Sequence, residues 1–115
     1  MSSHHAIDYI ELTQTDLEAA KAFYTKAFGW SLNDYGPEYA GIQGEGEEEQ
    51  GGLRSDSELR PPLVILYSDD LEASVEAVTG AGGTIVEPIS GFPGGRRFQF
   101  ADPAGNVLAV WAKAA

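Results

Sequence analysis

The sequence predicts an α+β fold of two tandem βαβββ modules, whose curled mixed sheets surround a cavity. The tetrapeptide Asp-Leu-Glu-Ala at residues 16–19 returns at residues 70–73, an offset of 54. Apolar-rich segments at 9–12 and 63–66 precede the two copies, and Gly29 and Gly83 follow them at the same offset. Because the preceding strand and the following glycine recur at the same offset as the tetrapeptide, the match indicates a duplicated unit. Because one helix covers only one face of a four-stranded sheet, the other face is expected to enclose a ligand cavity.

Length and charge limit the classes of protein that the chain can represent. Its 115 residues suit a single domain, with module one at about 6–58, a linker at about 59–62 and module two at about 63–113. The formal net charge of −11 argues against nucleic acid and anionic membranes as partners. There is no cysteine, and no apolar stretch approaches the ~20 residues of a membrane span. We therefore expect a cytoplasmic protein.

Each element of module one has a local signal. A strand is predicted at about 6–13, and Thr15 is the expected helix cap, with Glu18 completing a capping box. Gly29 suits the left-handed position after the helix. Strands follow at 30–35, 39–43 and 51–55. The acidic stretch that contains Glu45, Glu47, Glu48 and Glu49 is interpreted as a solvated hairpin loop, with weak calcium binding as the alternative.

Module two repeats this order of elements. An apolar strand is predicted at 63–67, followed by a helix with Asp69 and Glu72 at capping-box spacing. Further strands are expected at 84–88, 96–101 and 107–112, with a glycine-rich loop at 91–95. That loop lacks the Lys-Ser/Thr of a phosphate loop and opens no helix, which excludes nucleotide binding. His4 and His5 are interpreted as part of a tail, with metal binding as the alternative.

Strand alternation predicts which side chains line the cavity. In module one these are Tyr9 and Glu11, with Arg54 as a partner for Glu11 or for an anionic ligand. The other predicted pocket residues lie in module two: Leu63, Ile65, Tyr67, Ala109 and Trp111. Such a mainly apolar, aromatic lining suits a small aromatic or amphipathic molecule.

Glu11 is the one carboxylate predicted on the cavity face. It could act as a general base or contact a cationic ligand, or it could be a charge near a strand end that is paired or solvated. Arg96 and Arg97 are alternative partners, of which only one can face inward. No histidine is expected inside the fold to activate a serine.

Three stretches resemble the vicinal oxygen chelate superfamily, which includes glyoxalases, bleomycin-resistance proteins and dioxygenases. They are residues 9–30 with their Asp-Leu-Glu-Ala helix start, residues 68–83, and the Phe-Gln-Phe-Ala-Asp-Pro-Ala-Gly-Asn segment at 98–106. The resemblance implies the βαβββ fold and a pocket. It also implies up to four metal-ligand positions, which fall in this sequence on Tyr9, Leu63, Ala109 and, from the repeat offset, Ser55.

Those four residue types do not make a divalent-metal site, since such metals prefer imidazole, carboxylate or thiolate ligands. We therefore expect no metal and no cofactor. The leading hypothesis is metal-independent binding of a small molecule. The alternatives are a metal-dependent lyase, isomerase or dioxygenase, a metal-free acid–base enzyme that uses Glu11, and a dimeric interaction module without a ligand. Exposed sheet edges and the resemblance together predict a homodimer.

Overall fold

A computed structural model describes residues 3–46 and 48–114, which form eight strands and two helices in the order βαβββ–βαβββ. The predicted α+β class and duplicated module are confirmed. The elements are β1 Ile7–Gln14, α1 Leu17–Phe28, β2 Leu32–Asp34, β3 Tyr39–Gln43, β4 Glu49–Ser55, β5 Leu63–Tyr67, α2 Leu71–Gly80, β6 Thr84–Phe92, β7 Gly95–Ala101 and β8 Val107–Lys113. None of the described helices is long and apolar enough to cross a membrane.

The chain divides into two compact units, and we call residues 9–62 the N-terminal unit. Its strands are ordered β2-β3-β4-β1, with β1 and β4 parallel and the other pairs antiparallel. Helix α1 packs on one face of this sheet because apolar side chains alternate toward it. The buried core there consists of Leu17, Ala20, Ala40, Ile42 and Leu53.

The C-terminal unit comprises residues 63–114 together with residues 3–8. Its strands are ordered β5-β8-β7-β6, and β5 and β8 are again the parallel pair. Helix α2 covers one face of this sheet. The buried core under α2 is formed by Leu71, Phe98, Val110 and Ala112.

Both helices begin one residue later than the capping-box pattern predicts. The N-cap residues are Asp16 and Asp70, whose carboxylates accept hydrogen bonds from the backbone N–H groups of Ala19 and Ala73, each at 3.1 Å. Thr15 and Asp69 are therefore not the caps. An aspartate in extended conformation satisfies the first free N–H groups of a helix directly, so the repeated Asp-Leu-Glu-Ala is the true start signal.

The strand boundaries that differ most from the prediction are those of β2, β4 and β6. Strand β2 begins only at Leu32, because Trp30 stacks on the ring of Tyr24 at 4.6 Å instead of entering the sheet. Strand β4 begins at Glu49, two residues early. The glycine-rich loop expected at 91–95 is a tight turn between β6 and β7, where Gly94 adopts a left-handed φ of 102°.

The histidines near the N-terminus are not a free tail. The His5 ring Nε2 lies 2.9 Å from the Ser74 hydroxyl, which in turn lies 2.7 Å from the Ser68 hydroxyl. His4 Nδ1 accepts a hydrogen bond of 2.9 Å from the backbone N–H of Asp69. The sequence did not predict this histidine–serine contact, which an exposed histidine makes. Ser74 is only 3% exposed, however, so these contacts attach the N-terminal segment to the start of α2 and present no open nucleophile.

Candidate ligand-binding site

In the N-terminal unit, the sheet face opposite α1 carries a row of residues that are in register across all four strands. Glu11 pairs with Gly52, Gly52 pairs with Gly41, and Gly41 pairs with Asn33. Strand alternation puts these residues on the face opposite the α1 core, since Leu12, Leu32, Ala40 and Leu53 pack on the α1 side. We call this surface the helix-free face.

Glu11 is the most deeply placed charge of the helix-free face, with 5% of its surface exposed. Arg54 Nε donates to one carboxylate oxygen at 3.2 Å, and the Tyr39 hydroxyl donates to the other at 3.2 Å. Arg54 also lies 3.2 Å from Asp56. A buried carboxylate needs such partners because desolvation of an isolated charge is costly. Both oxygens of Glu11 are thereby held in fixed positions.

The two tyrosines extend this contact along the sheet. The hydroxyl of Tyr9 lies 2.8 Å from that of Tyr39 and 3.4 Å from Glu49 Oε1, and its single proton serves one of these two acceptors at a time. Burial raises the pKa of both phenols, and the neighbouring Glu11 carboxylate raises each pKa further. Both phenols are therefore protonated at neutral pH. They form a line of hydrogen-bonding groups from Glu11 through Tyr39 and Tyr9 to Glu49.

Glu49 is a site residue and not part of a solvated loop. Its carboxylate accepts a 2.9 Å hydrogen bond from Asn33 Nδ2 and a short one from the Tyr35 hydroxyl, which raises the pKa of that phenol. A register shift between β3 and β4, where Gln43 pairs with Glu49 directly after Ile42 pairs with Gly51, turns Glu49 onto the helix-free face. Glu47, from the same acidic stretch, lies outside the described residues.

The equivalent face of the C-terminal unit is aromatic. On the parallel strands β5 and β8, Ile65 pairs with Ala109 and Tyr67 pairs with Trp111. The Tyr67 and Trp111 rings meet edge to face at 5.3 Å, and Trp111 Nε1 donates to Asp8 at 2.8 Å. Phe92 lies 6.4 Å from the Trp111 ring, ring centre to ring centre.

The predicted site residues thus fall into two groups. Tyr9, Glu11 and Arg54 share the helix-free face of the N-terminal unit. Ile65, Tyr67, Ala109 and Trp111 share the aromatic face of the C-terminal unit, and Leu63 is half-buried at the start of β5. Arg96 is not a partner of Glu11, since it forms an exposed ion pair with Glu72 at 2.6 Å.

Four residues of the helix-free face were not predicted from the sequence: Asn33, Tyr35, Tyr39 and Glu49. Alternation in β2 and β3 could have located the first three, because Leu32, Ala40 and Ile42 mark the opposite face. The glycines inside the strands were also a signal, since glycine in a strand interior often marks a close approach. The helix-free face is consequently more polar than the mainly apolar lining that was expected.

The metal-ligand positions implied by the resemblance do not provide a set of metal donors. Ser55 follows Leu53 by two residues and so lies on the α1 side of β4, away from Tyr9. Leu63 and Ala109 carry no donor atom in their side chains, and the Tyr9 phenol is protonated. Within residues 3–46 and 48–114, no group of three or more His, Cys, Asp or Glu residues could hold a metal ion.

A separate open groove of about 610 Å³ lies at the end of β1 in the N-terminal unit. The lining residues are Leu12, Thr13, Gln14, Tyr24, Leu59, Arg60, Pro61 and Pro62. Its one charged group, Arg60, is paired with Asp56 at 3.2 Å and Glu58 at 3.8 Å. The groove therefore assembles no reactive group, and the chemistry of the unit is concentrated on the helix-free face.

A family model matches residues 6–110, nearly the whole chain, and describes the Glyoxalase/Bleomycin resistance protein/Dioxygenase superfamily. The chain belongs to this superfamily. Among its curated relatives are the provisionally named glyoxylase CFP32 of Mycobacterium bovis, 31% identical over 90% of this chain, and the anthracycline biosynthesis protein DnrV of Streptomyces peucetius, 29% identical over 91%. This chain spans only 44% and 46% of their respective lengths.

Two solved structures show that other proteins share the fold. The Mn(II)-bound glyoxalase from Novosphingobium aromaticivorans is 26% identical with a TM-score of 0.75, covering all of this chain and 41% of that one. Methylmalonyl-CoA epimerase from Mycobacterium tuberculosis has a TM-score of 0.77 over all of this chain and 93% of its own. Its 16% identity supports the fold alone. The donor set described above does not fit the metal that the first of these structures holds.

Proposed function

We propose that this superfamily member binds a small aromatic or amphipathic molecule without a bound metal, on the helix-free face of the N-terminal unit. The observation that supports this most is the line Glu11–Tyr39–Tyr9–Glu49, in which protonated phenols and fixed carboxylates lie side by side. Such a line offers both donors and acceptors to the hydroxyl or carbonyl groups of a ligand. A few fixed polar groups of this kind orient ligands in small-molecule sites.

The aromatic character of the ligand is supported within the N-terminal unit, where the rings of Tyr35 and Tyr39 lie 6.2 Å apart, centre to centre, beside the line of polar groups. A relative that matches 91% of this chain is an anthracycline biosynthesis protein, and anthracyclines are fused-ring aromatic compounds with hydroxyl and carbonyl groups. An anthracycline is therefore a suitable first probe.

A titration of the fluorescence of an anthracycline, and in parallel that of 1-naphthol, tests this proposal. We expect saturable binding in the presence of EDTA, and no stoichiometric metal by elemental analysis of the untagged protein. Tyr39→Phe should weaken binding about tenfold, the effect of one lost hydrogen bond in a dry site. The control Glu76→Gln changes an exposed carboxylate on α2 and should bind as the wild type does. Loss of binding on removal of metal would refute metal independence.

A metal-free acid–base enzyme is the second candidate, and the placement of Glu11 favours it. This carboxylate is nearly inaccessible to water yet hydrogen-bonded to the Tyr39 phenol, an arrangement in which a proton can be exchanged with a ligand over a short path. Glu11→Gln keeps the shape of the side chain and removes its basicity. Retained binding with lost turnover in Glu11→Gln would support the enzyme, whereas equal binding with no turnover in the wild type would favour a binding protein.

We also propose that the protein is a homodimer. Strands β2 and β6 each lie at the edge of their unit's sheet, and a second copy of this chain would cover the unpaired backbone groups there. Light scattering coupled to size exclusion should give twice the mass of the chain, and a monomer at micromolar concentration would contradict the proposal.

A further inference from the structure

Two glycines of the helix-free face leave space that is filled by the polar side chains of the site. A Cβ atom at Gly52 would collide with the hydroxyl of Tyr39 and would lie 2.9 Å from its Cε2 atom. A Cβ atom at Gly41 would collide with the carboxylate of Glu49. Since Gly41 and Gly52 pair directly across β3 and β4, the two spaces adjoin each other.

Two other glycines of the sheets, Gly51 and Gly95, are close to backbone atoms instead. A Cβ atom at Gly51, on the α1 side of β4, would collide with the carbonyl oxygen of Ile10, and one at Gly95 with that of Ala112. Backbone in a strand pair cannot give way, so a side chain there would break the sheet. The far ends of Tyr39 and Glu49 can move, so a side chain at Gly52 or Gly41 would displace these groups and leave the sheet paired.

On the basis of the proposed function, we infer that Gly52 and Gly41 are positioning residues of the ligand site. They allow the Tyr39 phenol and the Glu49 carboxylate to lie across the sheet, where these groups contact Tyr9 and Glu11. The 2.8 Å contact of Tyr39 with Tyr9 and its 3.2 Å bond to Glu11 depend on this placement. To reach ordinary contact distance from an added Cβ, the phenol must move by on the order of 1 Å or more, which breaks hydrogen bonds of this length.

The test compares Gly52→Ala with Gly91→Ala. Gly91 is the matched control because its Cβ would have its nearest atom at 3.9 Å, an ordinary contact, and its φ is not left-handed. The tyrosines are labelled with ¹³C at Cζ, and their NMR signals are followed with pH in the absence of ligand. We expect Tyr39 and Tyr9 to resist ionisation in the wild type and in Gly91→Ala, and Tyr39 to ionise at lower pH in Gly52→Ala. Affinity for the anthracycline probe should fall at least tenfold in Gly52→Ala alone.

A second substitution separates positioning from a general loss of structure. Tyr39→Ala removes every ring atom that the new Cβ meets, so Gly52→Ala should lower the unfolding midpoint less in the Tyr39→Ala background than in the wild type. Affinity should stay low, because the phenol is still missing. Should Gly52→Ala fail to fold, Gly41→Ala provides the same test, with the Tyr35 and Tyr9 signals reporting on Glu49.

The outcomes for the positioning role and for the proposed function are distinguishable. Unchanged Tyr39 and Tyr9 titrations in a folded Gly52→Ala variant would overturn the positioning role, whatever the affinity. Altered titrations together with a wild type that binds neither the anthracycline nor 1-naphthol would support the positioning role and contradict the proposed function. Altered titrations with unchanged affinity would overturn the link between these glycines and ligand binding.

Discussion

The two units share one order of elements, yet their faces opposite the helices differ in chemistry. At the repeat offset of 54 residues, Glu11 corresponds to Ile65 and Thr13 to Tyr67. Glu11 and Ile65 are equally buried, 5% and 4% exposed, although one is charged and the other apolar. The helix starts, by contrast, are the same aspartates in the same conformation, Asp16 and Asp70. The two copies of the module therefore share their helix caps and an apolar core under the helix. Their faces opposite the helix carry different side chains and can bind different ligands.

The largest expected effect on stability comes from introducing the carboxylate of the helix-free face at the equivalent position of the aromatic face. Ile65→Glu places a carboxylate at a buried position beside Ala109, and an uncompensated buried charge should lower the free energy of unfolding by about 4 kcal/mol. Ile65→Met is the matched control and should cost less than about 1.5 kcal/mol, because volume and polarity are kept. Urea unfolding followed by tryptophan fluorescence measures both. A cost below about 1 kcal/mol for Ile65→Glu would mean that the aromatic face also accepts a buried charge.

Each unit contains an arginine–glutamate pair, Arg54 with the buried Glu11 in the N-terminal unit and Arg96 with the exposed Glu72 in the C-terminal unit. Arg54→Leu removes the charged partner of the buried Glu11 carboxylate, and we expect a loss of about 2 kcal/mol in the free energy of unfolding. Arg96→Leu removes the exposed pair with Glu72, and exposed ion pairs of this kind contribute little measurable stability. Equal effects of the two substitutions in urea unfolding would show that the burial of Glu11 does not make its partner important.

The local chemistry of the chain predicted the fold well, whereas the site required long-range information. The sequence repeat predicted the positions of both helices and nearly every strand. This was possible because helix caps, turns and side-chain alternation each depend on only a few neighbouring residues. The repeat did not predict the position of Glu49. The register shift that turns this side chain onto the helix-free face depends on how β3 pairs with β4. The repeat also did not predict the contact of His5 with Ser74, because these residues are 69 positions apart in the sequence. Tyr9 and Glu11 were located because alternation within β1 suffices.

The tyrosine pair should make the N-terminal unit sensitive to alkaline pH. The pKa of Tyr9 and of Tyr39 is raised in the folded chain, so above their ordinary value of 10.0 the unfolded chain releases protons that the folded chain retains. Stability must then fall as pH rises, by up to about 1.4 kcal/mol per pH unit for each phenol. Tyr39→Phe removes one of these groups. In urea unfolding between pH 9 and 11.5, the slope for this variant should be shallower than for the wild type, and an identical slope would contradict the raised pKa of Tyr39.

The smallest expected effects on stability concern the aspartate N-cap, which the two units share. Asp16→Ala and Asp70→Ala should each lower the free energy of unfolding by about 1 kcal/mol, because each removes the side-chain acceptor for the N–H group of Ala19 or Ala73. Thr15→Ala is the control and should have little effect, since Thr15 precedes the cap. Thermal unfolding of the three variants measures this directly. Similar losses in the two units would indicate that the duplicated start signal has kept its stabilising role in both, although the faces on the other side of each sheet have diverged. A loss confined to one unit would show that the cap is needed only where the rest of that unit is less stable.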